Sequence, residues 1–325
     1  MVRHVRPIRF GFTGGHSSKR ERLLDSARTV EALGYSTFGL ADHFVRPLAP
    51  LIAGQAVADA TTTLRITQTV LAQDFREPAV LAKELATLDV LSEGRLQVGL
   101  GAGWLRQEYE DAGIRFDSAS IRIERLEETA IILKGLFGDE PFSFEGEHHR
   151  VDAMRGTPTP VQRPRPPIMI GGGGRKLLSV AARQADIVQL MPSNRGGGTG
   201  LDPSQFSAEA IEEKIGWIHE AAGARIDDIE LSAQLLECVV TDRPAEHLSD
   251  FADRIRAVTE RMGGARIDLG EEDLRRSPIV AVGSLDDVCE RLVETRDRYG
   301  ITYFAAPIDA RPEVLGPVIE ALAAG

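Results

Sequence analysis

The sequence predicts a parallel (β/α)8 barrel of the α/β class, and three observations carry that expectation. Short apolar runs rich in Val, Ile and Leu alternate with longer amphipathic runs along the whole chain. Eight such runs fit within 325 residues, the length of one barrel with room for insertions. The runs are near-continuously apolar, as strands covered on both faces are. An open doubly wound sheet explains the same alternation and stays as the alternative, because strand order is not written in a sequence. No repeat with a period of about 20–50 residues occurs, which excludes a solenoid.

The elements follow in order. "IRFGF" (8–12) is the first strand. The helix after it places Leu23, Leu24, Ala27, Val30 and Leu33 on one face and stops at Gly34. "TFGLA" (37–41) is the second strand and "LRITQTVLA" (64–72) the third. A helix over 77–94 has Pro78 in its first turn, and "LQVGLGAG" (96–103) is the fourth strand. A long insertion follows, with a helix at 121–138 and a hairpin at 141–151 turning near Gly146. "PPIMIGGGG" is the fifth strand and its exit, and "DIVQLM" (186–191) the sixth. "NRGGGTG" (194–200) opens a second insertion, a flexible excursion after strand 6. "IELSAQLLECVV" (229–240) is the seventh strand. Helices over 245–264 and 284–300, the latter capped by Ser284, lead to the eighth, "ITYFAAP" (301–307), and a closing helix.

Composition narrows the function classes. The formal net charge is -11, which argues against nucleic acid or an anionic membrane as the main partner. No apolar run approaches the roughly 18 residues that span a bilayer, and "MVRHVRPIRF" lacks a signal-peptide core. Two cysteines, Cys238 and Cys289, make a disulfide framework unexpected and a reduced cytoplasm the default location.

In a barrel the chemistry sits where the strands end. The second strand ends in Asp42-His43, with Phe44 close behind. His43 is a candidate general acid or base, and Asp42 either orients it or bonds a ligand directly. A loop histidine satisfied by backbone stays open beside that reading. Gly171 to Gly174 lie between a strand and a helix starting near Arg175, where bare N–H groups receive a phosphate or other anion. A ligand-free connector is the other reading. "GLGAGW" fails as a dinucleotide fingerprint, because its third glycine falls on Trp104. Its small residues either let a planar ring approach or relieve crowding at the barrel mouth. His16, in "GGHSS" at the first strand's exit, faces the same cavity or solvent. His148 and His149 stand beside Glu145 and Glu147, but neighbouring hairpin side chains point to opposite faces, so no metal site is expected.

Taken together, these exits resemble the bacterial luciferase-like family of flavin and deazaflavin oxidoreductases. The resemblance rests on "ALGYSTFGLADHF", on the block from "LRITQTVLAQDF" to "LQVGLGAGW", on "PPIMIGGGG" followed by "ADIVQL", and on "GSLDDVCERLVETRDRYGITYFAA". It implies one barrel domain over 1–325, usually a homodimer, with a flavin-type ring in the mouth. The branch using coenzyme F420, a 5-deazaflavin, is the closer likeness, and the FMN-dependent monooxygenase branch is the alternative. A barrel that binds a deazaflavin without turnover is a further one. Carried over by position, Asp42 and His43 sit beside the ring, with His43 moving the proton. Thr69-Val70 occupies the place of a non-prolyl cis peptide behind the ring. Gly101, Ala102, Gly103 and Trp104 line the ring edge, Gly171, Gly172, Gly173 and Gly174 hold the phosphate, and Gln189 and Met191 flank the tail. The family's sugar-phosphate dehydrogenases carry Glu where this chain has Trp104, so glucose 6-phosphate is not the expected substrate. Trp104 instead implies a more apolar pocket for a small organic substrate.

Overall fold

The computed structural model describes residues 6–192, 203–261, 269–308 and 310–324. Eight parallel strands close into a barrel: β1 (Arg9–Gly14), β2 (Thr37–Leu40), β3 (Arg65–Gln68), β4 (Leu96–Gly101), β5 (Ile168–Gly172), β6 (Ile187–Leu190), β7 (Glu230–Gln234) and β8 (Ile301–Ala305). Each strand pairs with the next in sequence, and β8 pairs back to β1 through Arg9↔Tyr303 and Phe10↔Phe304. The closed ring decides against an open sheet.

The strands are buried because helices cover them. The helix Arg20–Ala32 buries Leu23, Leu24, Ala27 and Val30 and ends at Gly34, whose φ of 82° suits the left-handed conformation that glycine tolerates. The helix Pro78–Leu91 buries Leu81, Leu85 and Leu88. Ser284 caps the helix Leu285–Tyr299 as the sequence predicts, and Asp287 completes a capping box with it.

Two strands differ from expectation. The third is interrupted at Thr69–Val70, whose peptide bond is cis, and resumes as Leu71–Ala72 beside Leu100 and Gly101. The expected seventh strand is two strands. After β7 the chain leaves the barrel, and Glu237–Val240 pairs in parallel with Val280–Gly283. This outer pair carries a small core of its own, built on Leu248, Ala252, Ile255, Leu269, Leu274 and Val280. One unbroken apolar run hides the exit because both segments have buried residues. The chain therefore has an insertion after β7 as well as the one after β4. The excursion expected at 194–200 lies outside the described residues.

The insertion after β4 holds the helices Arg106–Asp111 and Ala119–Leu136 and the antiparallel hairpin Phe142–Glu145/Arg150–Met154. Its turn is pinned by Glu128, whose carboxylate accepts N–H bonds from Glu147, His148 and His149 at 2.8, 3.1 and 2.9 Å.

Candidate active site

At the exit of β2, Asp42 and His43 turn to different partners. Asp42, 8 % exposed, accepts both arms of the Arg76 guanidinium at 2.6 and 3.0 Å and the Ala72 N–H at 3.1 Å. It thereby ties the resumed third strand to β2. The carboxylate that orients His43 is Glu108, not Asp42. His43 Nδ1 lies 2.7 Å from Glu108 Oε2. Glu108 stands on the short helix Arg106–Asp111 and is 5 % exposed. A carboxylate can only accept, so it draws the proton to Nδ1 and leaves Nε2 with its lone pair. Nε2 has no protein partner among the described residues. The Trp104 ring meets the imidazole edge-on, with centroids 5.8 Å apart and planes at 82°. Trp104 and Phe44 are 46 % and 60 % exposed, so the rim beside His43 is aromatic and open.

Sequence reasoning missed Glu108 and Arg76. It looked for an acid directly after the fourth-strand glycines and found Trp104. The acid arrives four residues later, on the short helix Arg106–Asp111, where it is one of three acids in a row of six residues and carries no signal of its own.

Between the β4 and β5 exits stands Val70. A Cβ on Gly101 would overlap its side chain, and one on Gly171 would lie 3.5 Å from it. Ala102 is buried, and Gly103 has φ 69°, with a Cβ position that would overlap the Tyr109 hydroxyl. Arg122 donates to the carbonyls of Ala102 and Gly103 at 3.1 and 3.4 Å, and Tyr109 donates to Asp74 at 3.1 Å. The glycines here thus serve close packing in the exit itself. Among the described residues, buried polar atoms without protein partners occur at the end of β3, at Gln68 Nε2 and Thr69 Oγ1, and on the helix after β4, at Glu108 Oε1. Small residues beside an interrupted strand, with spare donors and acceptors, fit a flat heteroaromatic ring.

The four glycines divide by role. Gly171 and Gly172 belong to β5, and a Cβ on Gly172 would overlap Leu177. Gly173 and Gly174 make the turn into the helix Arg175–Gln184, which has no side-chain cap at Gly174 and open space where its Cβ would be. Uncapped N–H groups at the start of a ten-residue helix suit a phosphate. Arg175 is paired with Glu220 at 2.8 Å. Gln189 is buried at 3 % exposure with Oε1 beside Gly171, and the Met191 N–H donates to the Gly172 carbonyl at 2.9 Å. Met191 in turn accepts from Lys214 at 3.1 Å. The structure therefore gathers two clusters, His43–Trp104 and Gly171–Met191, with Val70 between them. His16 bonds Arg46 and the Thr13 carbonyl at the β1 exit. Among the described residues no three His, Cys, Asp or Glu side chains gather as a metal set.

Comparison with known proteins gives the family and the fold. The sequence profile of the luciferase-like monooxygenases matches residues 2–302. The chain is 34% identical over 205 residues to an FMNH2-dependent dimethylsulfone monooxygenase of Pseudomonas putida, covering 62% of this chain and 55% of that protein. It is 31% identical over 194 residues to an F420-dependent glucose-6-phosphate dehydrogenase of Kineococcus radiotolerans, covering 56% of each. These matches span about half the length of each relative. The fold is shared with the coenzyme F420-dependent tetrahydromethanopterin reductase of Methanopyrus kandleri, with a TM-score of 0.74 at 16% identity over 97% of this chain and 98% of that one.

Proposed function

The chain belongs to the luciferase-like monooxygenase family, and from that premise we propose that it is a coenzyme F420-dependent oxidoreductase acting on a small organic substrate with an apolar part. The observation that supports this most is the His43–Glu108 pair at the mouth, with a free Nε2. Coenzyme F420, when bound, supplies or accepts hydride at C5 of its deazaflavin ring. The chain's own residues do the rest. Val70, Gly101, Ala102, Gly103 and Trp104 would flank the ring, and Gly173, Gly174 and the first turn of the following helix would receive the phosphate. Gln189 and Met191 would hold the tail. His43 Nε2 would give or take the substrate proton, while Glu108 keeps the ring oriented and stabilises the imidazolium. The exposed faces of Trp104 and Phe44 would take the substrate's apolar part.

A second reading is favoured by the Pseudomonas putida relative: an FMN-dependent monooxygenase. A third is a barrel that binds a deazaflavin without turnover. The test is anaerobic reoxidation of reduced F420 over a panel of carbonyl and activated-alkene acceptors, beside oxygen uptake with reduced FMN. Acceptor-dependent reoxidation supports the proposal. Oxygen-dependent turnover with FMN alone supports the second reading, and binding without turnover of either supports the third.

We also propose a homodimer formed through the helices Pro50–Ala60 and Pro78–Leu91. Ile52, Val80 and Leu91 on these helices are 77 %, 56 % and 56 % exposed, large apolar side chains that a partner surface would cover. Sedimentation should give twice the chain mass, and Ile52→Asp with Leu91→Asp should halve it. A monomer at all concentrations contradicts this.

A further inference from the structure

A cavity lies at the opposite end of the barrel from His43. It has a volume of about 350 Å³ and is bordered by Arg6, Arg9, Arg65, Asp186, Asp228 and Glu230, with Gln97 and Ser36 between them. Arg9, Arg65, Ile187 and Glu230 are the first residues of β1, β3, β6 and β7, so this is the N-terminal mouth. At about 30 Å³ per water, it has room for roughly ten waters or a hydrated ion.

The charges in it are unevenly matched. Glu230 takes the Arg9 guanidinium through two bonds of 2.7 Å, and that guanidinium also stacks 3.7 Å above the Tyr303 ring. Asp186 is held by Arg165 at 2.5 and 3.0 Å and by the Ile168 N–H at 2.7 Å. Both carboxylates are thus neutralised. Arg65 uses one nitrogen, Nη2, for the Leu96 carbonyl and Gln162 Oε1, at 2.8 and 2.6 Å. Its Nε and Nη1 have no acceptor among the described residues, and no carboxylate there bonds it; Asp89 favours its charge only through space. Among the described residues, Arg6 reaches the carbonyls of Asp227 and Asp228, at 3.3 and 3.0 Å. Among the described residues bordering the cavity, the guanidiniums of Arg65 and Arg6 are therefore held by no carboxylate bond, with Asp228 beside them.

We propose that this N-terminal mouth is a binding site for a small oxyanion, a phosphate or carboxylate group, gripped by the free edge of Arg65 and attracted by Arg6. A guanidinium offers adjacent N–H groups that match two oxygens of such an anion. Partial burial, and then the neighbouring charge of Arg9, disfavour the Arg65 cation, and a bound anion relieves both. The site is separate from the turn at Gly173–Gly174, and its assignment does not depend on which cofactor the C-terminal mouth takes.

Selenate soaked into crystals of the protein tests this directly, since its anomalous signal reports position. A peak within hydrogen-bond reach of Arg65 is expected, and a soaked crystal without one overturns the proposal. Inorganic phosphate titrations at fixed ionic strength give the solution measurement. The wild-type protein should show a saturable rise in melting temperature that chloride does not reproduce. Arg65→Gln should weaken the apparent affinity at least tenfold, with Arg65→Lys intermediate. Acetate in place of phosphate distinguishes a carboxylate-selective site from a phosphate-selective one. Equal responses of wild-type and folded Arg65→Gln to phosphate would overturn the assignment to Arg65.

Discussion

Nδ1 of His43 and Oε2 of Glu108 lie 2.7 Å apart, joining the exit of β2 to the helix that follows β4. The pair fixes one face of the imidazole to protein and leaves the other to a ligand. His43→Ala should lower hydride transfer by about 10²–10⁴-fold, the usual worth of a positioned acid or base. F420 affinity should stay within about twofold of wild type if the role is proton transfer. Glu108→Gln should cost less, roughly 10–100-fold, because the imidazole stays and only its orientation suffers. Nitrogen-15 shifts of His43 provide the independent readout: Nδ1 protonated in wild type, and a mixture of tautomers in Glu108→Gln. Unchanged transfer in His43→Ala removes the proposed role.

Asp42 is expected to matter for a different reason. Its bonds to Arg76 and to the Ala72 N–H hold the resumed third strand in place. Arg76→Met leaves a buried carboxylate without its cation and should destabilise the protein by about 3 kcal/mol. Asp42→Asn keeps an acceptor for Ala72 and should cost less. Urea denaturation of the two variants checks the order, and a smaller loss in Arg76→Met would contradict it.

Gly103 should tolerate no side chain. Its φ of 69° disfavours other residues, and a Cβ would overlap the Tyr109 hydroxyl. Gly103→Ala should lose about 2–3 kcal/mol from conformation and crowding together. Moving Tyr109 also moves its helix neighbour Glu108, so the His43 shifts should change as they do in Glu108→Gln. A stable Gly103→Ala with wild-type His43 shifts would argue against this coupling.

The barrel was legible in the sequence because a strand buried on both faces is written as an apolar run, and its helices carry a clear period. The exits of β2, β4 and β5 were legible as well, since Asp42-His43, Gly101 to Trp104 and Gly171 to Gly174 each interrupt such a run. The partners of those residues were not. Glu108 reads as one acid among Glu108, Glu110 and Asp111, and nothing in a linear chain shows which faces an imidazole 65 positions away. The departure after β7 was hidden for a related reason: Glu237–Val240 exchanges one sheet for another without changing its composition.

Glu31 provides a pH test of the scaffold. Its carboxylate, at the end of the first helix, accepts N–H bonds from Thr62, Thr63 and Leu64 at 2.7, 2.6 and 3.1 Å just before β3. Burial pushes its pKa up, but these bonds and the Thr63 hydroxyl outweigh that and hold it at about 2. A carboxyl depressed in the folded state stabilises it above the unfolded value near 4.3, and that contribution fades as pH falls towards about 2. Glu31→Gln should therefore be less stable than wild type by about 1–2 kcal/mol at pH 7, allowing for solvent screening. The gap should narrow at about pH 3 in parallel urea melts, and a gap that widens with acid would reverse the sign.

Equilibrium fluorescence titration of the purified chain with F420, FMN and FAD tests the central reading most directly. The account predicts saturable F420 binding at micromolar concentrations and at least tenfold weaker binding of FMN and FAD. It also predicts that His43→Ala leaves the F420 curve in place. Tighter binding of FMN than of F420, or no binding of either, would contradict it.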